Sequence, residues 1–192
     1  ACHDVRRSRL RMGEDVLVIG GGPIGLLIAT VAKAAGGDVT ISEVNTTRLE
    51  IAEKLGFKTL NPICTDVAAA FYAATGNKGA DVIFEVSGTQ PGVDTMTAAA
   101  STRCRIVMVA IHAKAPKVDM FQFFWREIEL LGARVYEPVD YDQAINLIAA
   151  GVVDCDSIIT DVRDLAQIEE AFQSLGENPE AVKSLILSLI HI

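Results

Sequence analysis

Asp15-Val-Leu-Val-Ile-Gly-Gly-Gly-Pro-Ile-Gly25 decides how this chain folds. Asp15 to Ile19 is a short apolar run closed by glycines, the pattern of a strand buried on both faces. Gly20, Gly22 and Gly25 follow at G-x-G-x-x-G spacing, and Pro23 opens a helical pattern that runs to Ala35. Proline suits a first helical turn, where its missing N–H is no loss. Strand, glycine turn and helix in that order suit a pyrophosphate. Gly20 permits the tight turn, Gly22 admits phosphate without a Cβ in the way, and Gly25 lets the helix lie close on the sheet. The start of the helix, at Pro23 and Ile24, offers unpaired N–H groups beyond the proline and a positive dipole end.

Outward from this unit the chain alternates strand and helix. Strands are expected at 38–44, 58–60, 81–86, 105–109 and 128–135. Helices are expected at 46–55, 65–74, 90–100 and 121–126, with Asn45 as N-cap and Gly56 as a stop. Six strands in two groups of three, joined by helical crossovers, predict an α/β fold. It is a doubly wound, parallel six-stranded Rossmann sheet with strand order 3-2-1-4-5-6. After Glu137 the pattern changes: helices at 141–150 and 165–175 and strands at 156–160 and 182–187 are surplus to that sheet. Residues 1–137 are therefore read as a dinucleotide-binding domain. Residues 138–192 are read as its last helix and a short C-terminal return segment toward a catalytic domain that is missing.

Glu43 ends the second strand, 18 residues after Gly25. A carboxylate there can accept from both adenosine ribose hydroxyls and repels a 2′-phosphate, so NAD is favoured over NADP. Arg48, one helical turn on, softens that preference. Val86-Ser87-Gly88 and Val109-Ala110-Ile111 end strands four and five, and their small residues leave room for a flat ring at the switch point.

Lys+Arg 17 against Asp+Glu 25, a formal charge of -8 and the lack of a basic run speak against a nucleic-acid partner. No apolar run reaches the roughly 18 residues of a membrane span, and 1–12 has no signal-peptide core. Cys2, Cys64, Cys104 and Cys155 are widely spaced, with no C-x-x-C, and are read as free thiols of a cytoplasmic protein. His3, His112 and His191 are too scattered for a metal site. His112 is read as a loop histidine beside the ring pocket, and Cys104 as structural rather than nucleophilic. No Y-x-x-x-K follows Tyr72, Tyr136 or Tyr141, so no catalytic residue is assigned.

Read as a whole, the chain resembles the zinc-dependent medium-chain dehydrogenases, the sorbitol, butanediol and threonine dehydrogenase branch. The resemblance rests on His3 to Arg7 with Gly13 to Gly25, on Ser42-Glu43 with Arg48 to Ala52, and on Asp81 to Gly88. Arg126-Glu127, Gly132 to Tyr136, Ile158 to Thr160 and Glu170 to Phe172 extend it. It implies an interdomain helix before the first strand. It also implies a fragment of an NAD-dependent alcohol or polyol dehydrogenase that begins just after the metal-binding segment. Zinc would belong only to the missing catalytic domain, and the fragment alone would be inactive. By the same resemblance Glu43 holds the adenosine ribose and Arg48 flanks the adenosine. Val109 to Ile111 and Arg134 approach the nicotinamide, and the protein is a homodimer or homotetramer, paired through the edge strand near 130–135.

Some positions depart from that pattern. Ser101-Thr-Arg-Cys104 stands where the family has Gly-Gly, Ala110 where it has Gly, and Asp161 where a His is common. The tail Leu187-Ser-Leu-Ile-His-Ile192 runs past the usual final strand, is read as an appended scar and is given no function. Two other readings stay open. One is a non-catalytic dinucleotide-sensing Rossmann module. The other is a flavin protein, which Glu43 also suits but whose further fingerprints are missing.

Overall fold

A computed structural model of the chain describes residues 1–177 and 182–188, with side chains at 175–177 excepted. The elements that build the sheet are, in chain order, α1 (Cys2–Ser8), β1 (Asp15–Ile19), α2 (Pro23–Ala34), β2 (Asp38–Ser42), α3 (Thr46–Lys54), β3 (Lys58–Leu60), α4 (Val67–Ala74), β4 (Ala80–Glu85), α5 (Gln90–Ala99), β5 (Ala100–Met108), α6 (Met120–Arg126) and β6 (Glu129–Gly132). Their six strands are all parallel, in the order β3-β2-β1-β4-β5-β6, as expected.

Parallel strands alternate their side chains between two covered faces. Val16 and Val18 join Leu26, Ile28, Ala29, Ala32 and Ala52 on the side of α2 and α3. Leu17 and Ile19 join Phe71, Val93, Met96 and Phe123 on the side of α4, α5 and α6. β1 is thus the centre of both cores, and its C-terminal end is fixed from both faces.

Several boundaries differ from the sequence expectation. β5 begins at Ala100 rather than at 105, and its register with β4 shifts between Ala80↔Ala100 and Val82↔Arg105. The extra residues form an excursion in which Arg103 takes φ 64. A left-handed position is thus present without the glycine that usually marks one. β2 stops at Ser42 and β6 at Gly132.

After β6 come α7 (Pro138–Ala149), α8 (Cys155–Ile158), β7 (Ile159–Asp164), a 3-10 turn (Leu165–Gln167), α9 (Ile168–Glu177) and β8 (Lys183–Leu187). The strand expected at 156–160 starts later, because the Asp154 side chain accepts the Ser157 N–H and caps α8. β7 and β8 pair in parallel as a separate two-stranded sheet. Ile158 and Val182 reach back into the core on the α2 side. Residues 189–192 of the tail lie outside the described residues.

α7 is clasped to α1. Asp140, buried on α7, accepts Arg6 Nε at 2.9 Å, Arg6 Nη2 at 3.1 Å and the Glu137 N–H at 2.7 Å, and lies 3.0 Å from His3 Nδ1. The Arg6 guanidinium first, then the Glu137 amide and His3, outweigh burial and hold this carboxyl well below the usual carboxylate range. With its folded pKa depressed, Asp140 stabilises the fold above its unfolded value of about 4. That contribution is lost as pH falls further, through the folded value, because the unfolded chain then takes up the proton first. Asp140→Asn is therefore expected to lower the urea midpoint at neutral pH and to flatten the acid limb of stability against pH. Equal midpoints for variant and wild type at pH 7 would refute the clasp.

Candidate functional site at the end of β1

The glycine turn occupies the switch point, where the chain leaves β1 between β2 and β4. Gly20 has φ +111, and its N–H donates to Ser42 O at 2.8 Å. A Cβ on Gly25 would stand 1.9 Å from Gly20 O, so this position sets how close α2 comes to the turn. Gly22 is the N-cap of α2 with φ -68 and ψ -178. Among the described residues a Cβ there would meet only Arg48 Nη1, at 3.8 Å.

Among the described residues, α3, α4, α5 and α6 each have a side-chain N-cap, from Asn45, Asp66, Thr89 and Asp119. α2 has none. Its first-turn N–H groups are left to water or to a ligand.

The turn opens on a cleft of about 280 Å³. Gly20, Gly22, Glu43, Arg48, Val86 and Ser87 line it, together with Pro62, Thr89, Pro91, Gly92 and Thr95. Glu43 lies one residue past β2 and is buried. Its Oε2 accepts the Gly21 N–H at 2.6 Å, and its Oε1 accepts the Val44 and Asn45 N–H groups, both at 2.8 Å. Arg48 is half-buried, and its Nε is buried without a hydrogen-bond partner. The cleft therefore presents an uncapped helix start, a carboxylate and a guanidinium that has unspent donor capacity.

The other candidates fall into a second group. Val109 and Ala110 donate their N–H groups to Glu85 O at 3.0 and 3.1 Å. A Cβ on Gly88 would stand 3.2 Å from Ile111 O, so the ends of β4 and β5 touch. Ile111 and Arg134 are exposed, and neither they nor Val109 and Ala110 line the cleft. Pro23 is half-buried and Ile24 exposed, at the first turn of α2.

Sequence reasoning missed Glu85. This carboxylate ends β4 fully buried. It accepts the Ser87 N–H at 3.0 Å, the Gly88 N–H at 3.1 Å and the Ser87 hydroxyl. His112 Nε2 lies 3.5 Å from Glu85 Oε2 and makes no hydrogen bond. His112 is a loop histidine, as expected, and its ring rests against this buried carboxylate. The signal available was a lone Glu inside the apolar run Val82-Ile-Phe-Glu-Val86, since a buried charge must be paired or hydrogen-bonded. Pro62 had no local signal because the turn after β3 carries it to the cleft, and Thr89, Pro91, Gly92 and Thr95 had none because the start of α5 carries them there.

Burial pushes the Cys104 thiol up to about 12, so it is not a thiolate nucleophile near neutral pH. Among the described residues no group of three or more His, Cys, Asp or Glu side chains is placed to hold a metal. The residues present do not fit zinc, and no chemical step is derived through it. No helix among them is long and apolar enough to cross a membrane.

A doubly wound parallel sheet with a glycine turn at β1 and a carboxylate beyond β2 defines the class, a Rossmann domain. The family model for zinc-binding dehydrogenases matches residues 23–150, and the chain belongs to that family. It is 55% identical to a 2-dehydro-3-deoxy-L-galactonate 5-dehydrogenase of Pseudoalteromonas atlantica, over 97% of this chain and 54% of that protein. The structure of 2R,3R-butanediol dehydrogenase from Bacillus subtilis matches with a TM-score of 0.91 at 30% identity, over 97% of this chain and 54% of that one. A protein of Sinorhizobium meliloti described as a zinc-binding dehydrogenase and solved with NADP bound matches with a TM-score of 0.86 at 26% identity, over 97% and 56%. The chain spans about half the length of the curated relatives it matches.

Proposed function

We propose that this chain binds a nicotinamide dinucleotide across the crevice above β1. The pyrophosphate lies on Gly20, Gly22, Pro23, Ile24 and Gly25. The adenosine ribose lies at Glu43, with Arg48 beside the adenosine. The nicotinamide half reaches Val86, Ser87, Gly88, Val109, Ala110, Ile111 and Arg134. The observation that carries this reading is the uncapped start of α2 facing the cleft, because first-turn N–H groups and the helix dipole together favour an anion. NAD is favoured over NADP, since a 2′-phosphate would approach the buried Glu43 carboxylate. The unspent donor on Arg48 reduces that margin.

The whole protein transfers a hydride between a secondary alcohol or polyol and this cofactor. The dehydrogenase names of the relatives support this. Zinc would belong to the catalytic domain that this chain does not span, and it would supply Lewis-acid chemistry there. Residues 1–137 form the cofactor domain, and 138–192 carry its last helix and the return toward the catalytic domain. The protein is a cytoplasmic homodimer or homotetramer. The four free cysteines support the compartment. The open edge at β6, with Leu130 and the neighbouring Phe124 and Trp125 exposed, supports the assembly.

Calorimetric titration of the 192-residue chain tests the reading. NADH is expected to bind more tightly than NADPH. Equal or reversed affinities would refute the role given to Glu43, and binding of neither would refute the cofactor.

A further inference from the structure

The Glu43 carboxylate is heavily used before any ligand arrives. An ionised carboxylate offers about four acceptor sites, and the Val44, Asn45 and Gly21 amides occupy three of them. The Val44 and Asn45 bonds are local and wrap the loop around its own side chain. The Gly21 bond spans 22 residues of sequence and ties the loop after β2 to the turn after β1.

The same contact accounts for the third consecutive glycine. A Cβ on Gly21 would stand 3.0 Å from Glu43 Cβ and 3.1 Å from its Cγ, so the side chain of Glu43 lies where a residue at 21 would put its own. Gly20 beside it holds φ +111, a conformation with many glycine alternatives and therefore costly to keep ordered.

We propose that Glu43 is the positioning residue of the phosphate-facing turn, holding Gly20 to Gly22 in the binding conformation through the Gly21 amide. This rests on the reading of the cleft as a dinucleotide site and deepens it. One acceptor site remains, on Oε2, so Glu43 takes one ribose hydroxyl rather than two. Removing its charge lifts the repulsion of a 2′-phosphate but also takes the anchor from the turn. The buried Gly21 N–H loses its acceptor, the turn loosens, and both dinucleotides must then pay for its ordering.

The test is amide hydrogen exchange on the 15N-labelled 192-residue chain, wild type against Glu43→Gln and Glu43→Ala, with NADH and NADPH titrations of each. Glutamine keeps the length of the side chain but turns an NH2 toward the donors, so it tests the bond even if the alanine variant folds poorly. Gly21 protection is expected to fall by about tenfold or more in both variants, as for loss of a hydrogen bond to a charged acceptor, while Val18 and Ile41 in the strands keep theirs. NADH affinity should fall in both, and the preference for NADH over NADPH should narrow. Unchanged Gly21 protection in Glu43→Gln, an equal fall at all three amides, or NADH binding at wild-type affinity by both variants would each overturn the proposal. A wild-type chain that binds neither dinucleotide defeats the cofactor reading alone, and Gly21 exchange still decides the role of Glu43.

Discussion

Gly25→Ala is expected to unfold the domain more readily than any other single methyl added at the turn. The new Cβ would lie 1.9 Å from Gly20 O, far inside contact distance, and neither partner can yield. Gly20 is fixed by its N–H bond to Ser42 O, with the Val86 and Ser87 backbone packed against it. α2 is fixed by Leu26, Ile28, Ala29 and Ala32, all fully buried against the sheet. Alanine is the better helix former by about 1 kcal/mol, which favours the variant. Overpacking against backbone costs about 3 kcal/mol or more and decides the sign. For a chain of this size that corresponds to a Tm lower by on the order of 10 °C. Thermal melts of the two proteins check it, and an unchanged Tm would mean that α2 does not sit where the structure places it.

That position was legible in the sequence because the fold enforces its spacing. A buried strand must end, a turn must reverse the chain, and a helix must pack back on the strand, so Gly20 and Gly25 fall at fixed offsets. Glu43 was legible for the same reason, since β2 runs parallel to β1 and ends level with it, Ile19 opposite Ser42. Strand order followed from the rhythm of buried strands and crossovers.

What failed to show in the sequence was of a different physical kind. The early start of β5 depends on Arg103 taking a left-handed conformation, and no glycine announces it. The start of β7 was displaced by a cap from Asp154 that competes with strand pairing. Glu85 serves the loop after β4 through bonds to Ser87 and Gly88, and its one signal, a lone Glu in an apolar run, does not say which groups it bonds. Gly21 fits no slot in the motif. Its reason is the Glu43 side chain, 22 residues away in sequence.

Gly22→Ala, three positions before Gly25, is expected to do the opposite: spare the fold and weaken the site. Gly22 has φ -68 and ψ -178, extended backbone open to any residue, so alanine brings no strain. Among the described residues the only atom near its Cβ would be Arg48 Nη1 at 3.8 Å, ordinary van der Waals contact. Alanine is a poorer N-cap than glycine, a cost of about 1 kcal/mol or less. Yet the methyl would project into the cleft in front of the uncapped α2 N–H groups, where a phosphate oxygen must come within about 2.9 Å of a donor. Affinity for NADH should fall at least about tenfold, that is by about 1.4 kcal/mol or more, at nearly unchanged Tm. Calorimetry and a thermal melt on the same preparation separate the two effects. If Gly22→Ala binds NADH as wild type does, the phosphates do not lie on this turn, and the open start of α2 must be explained some other way.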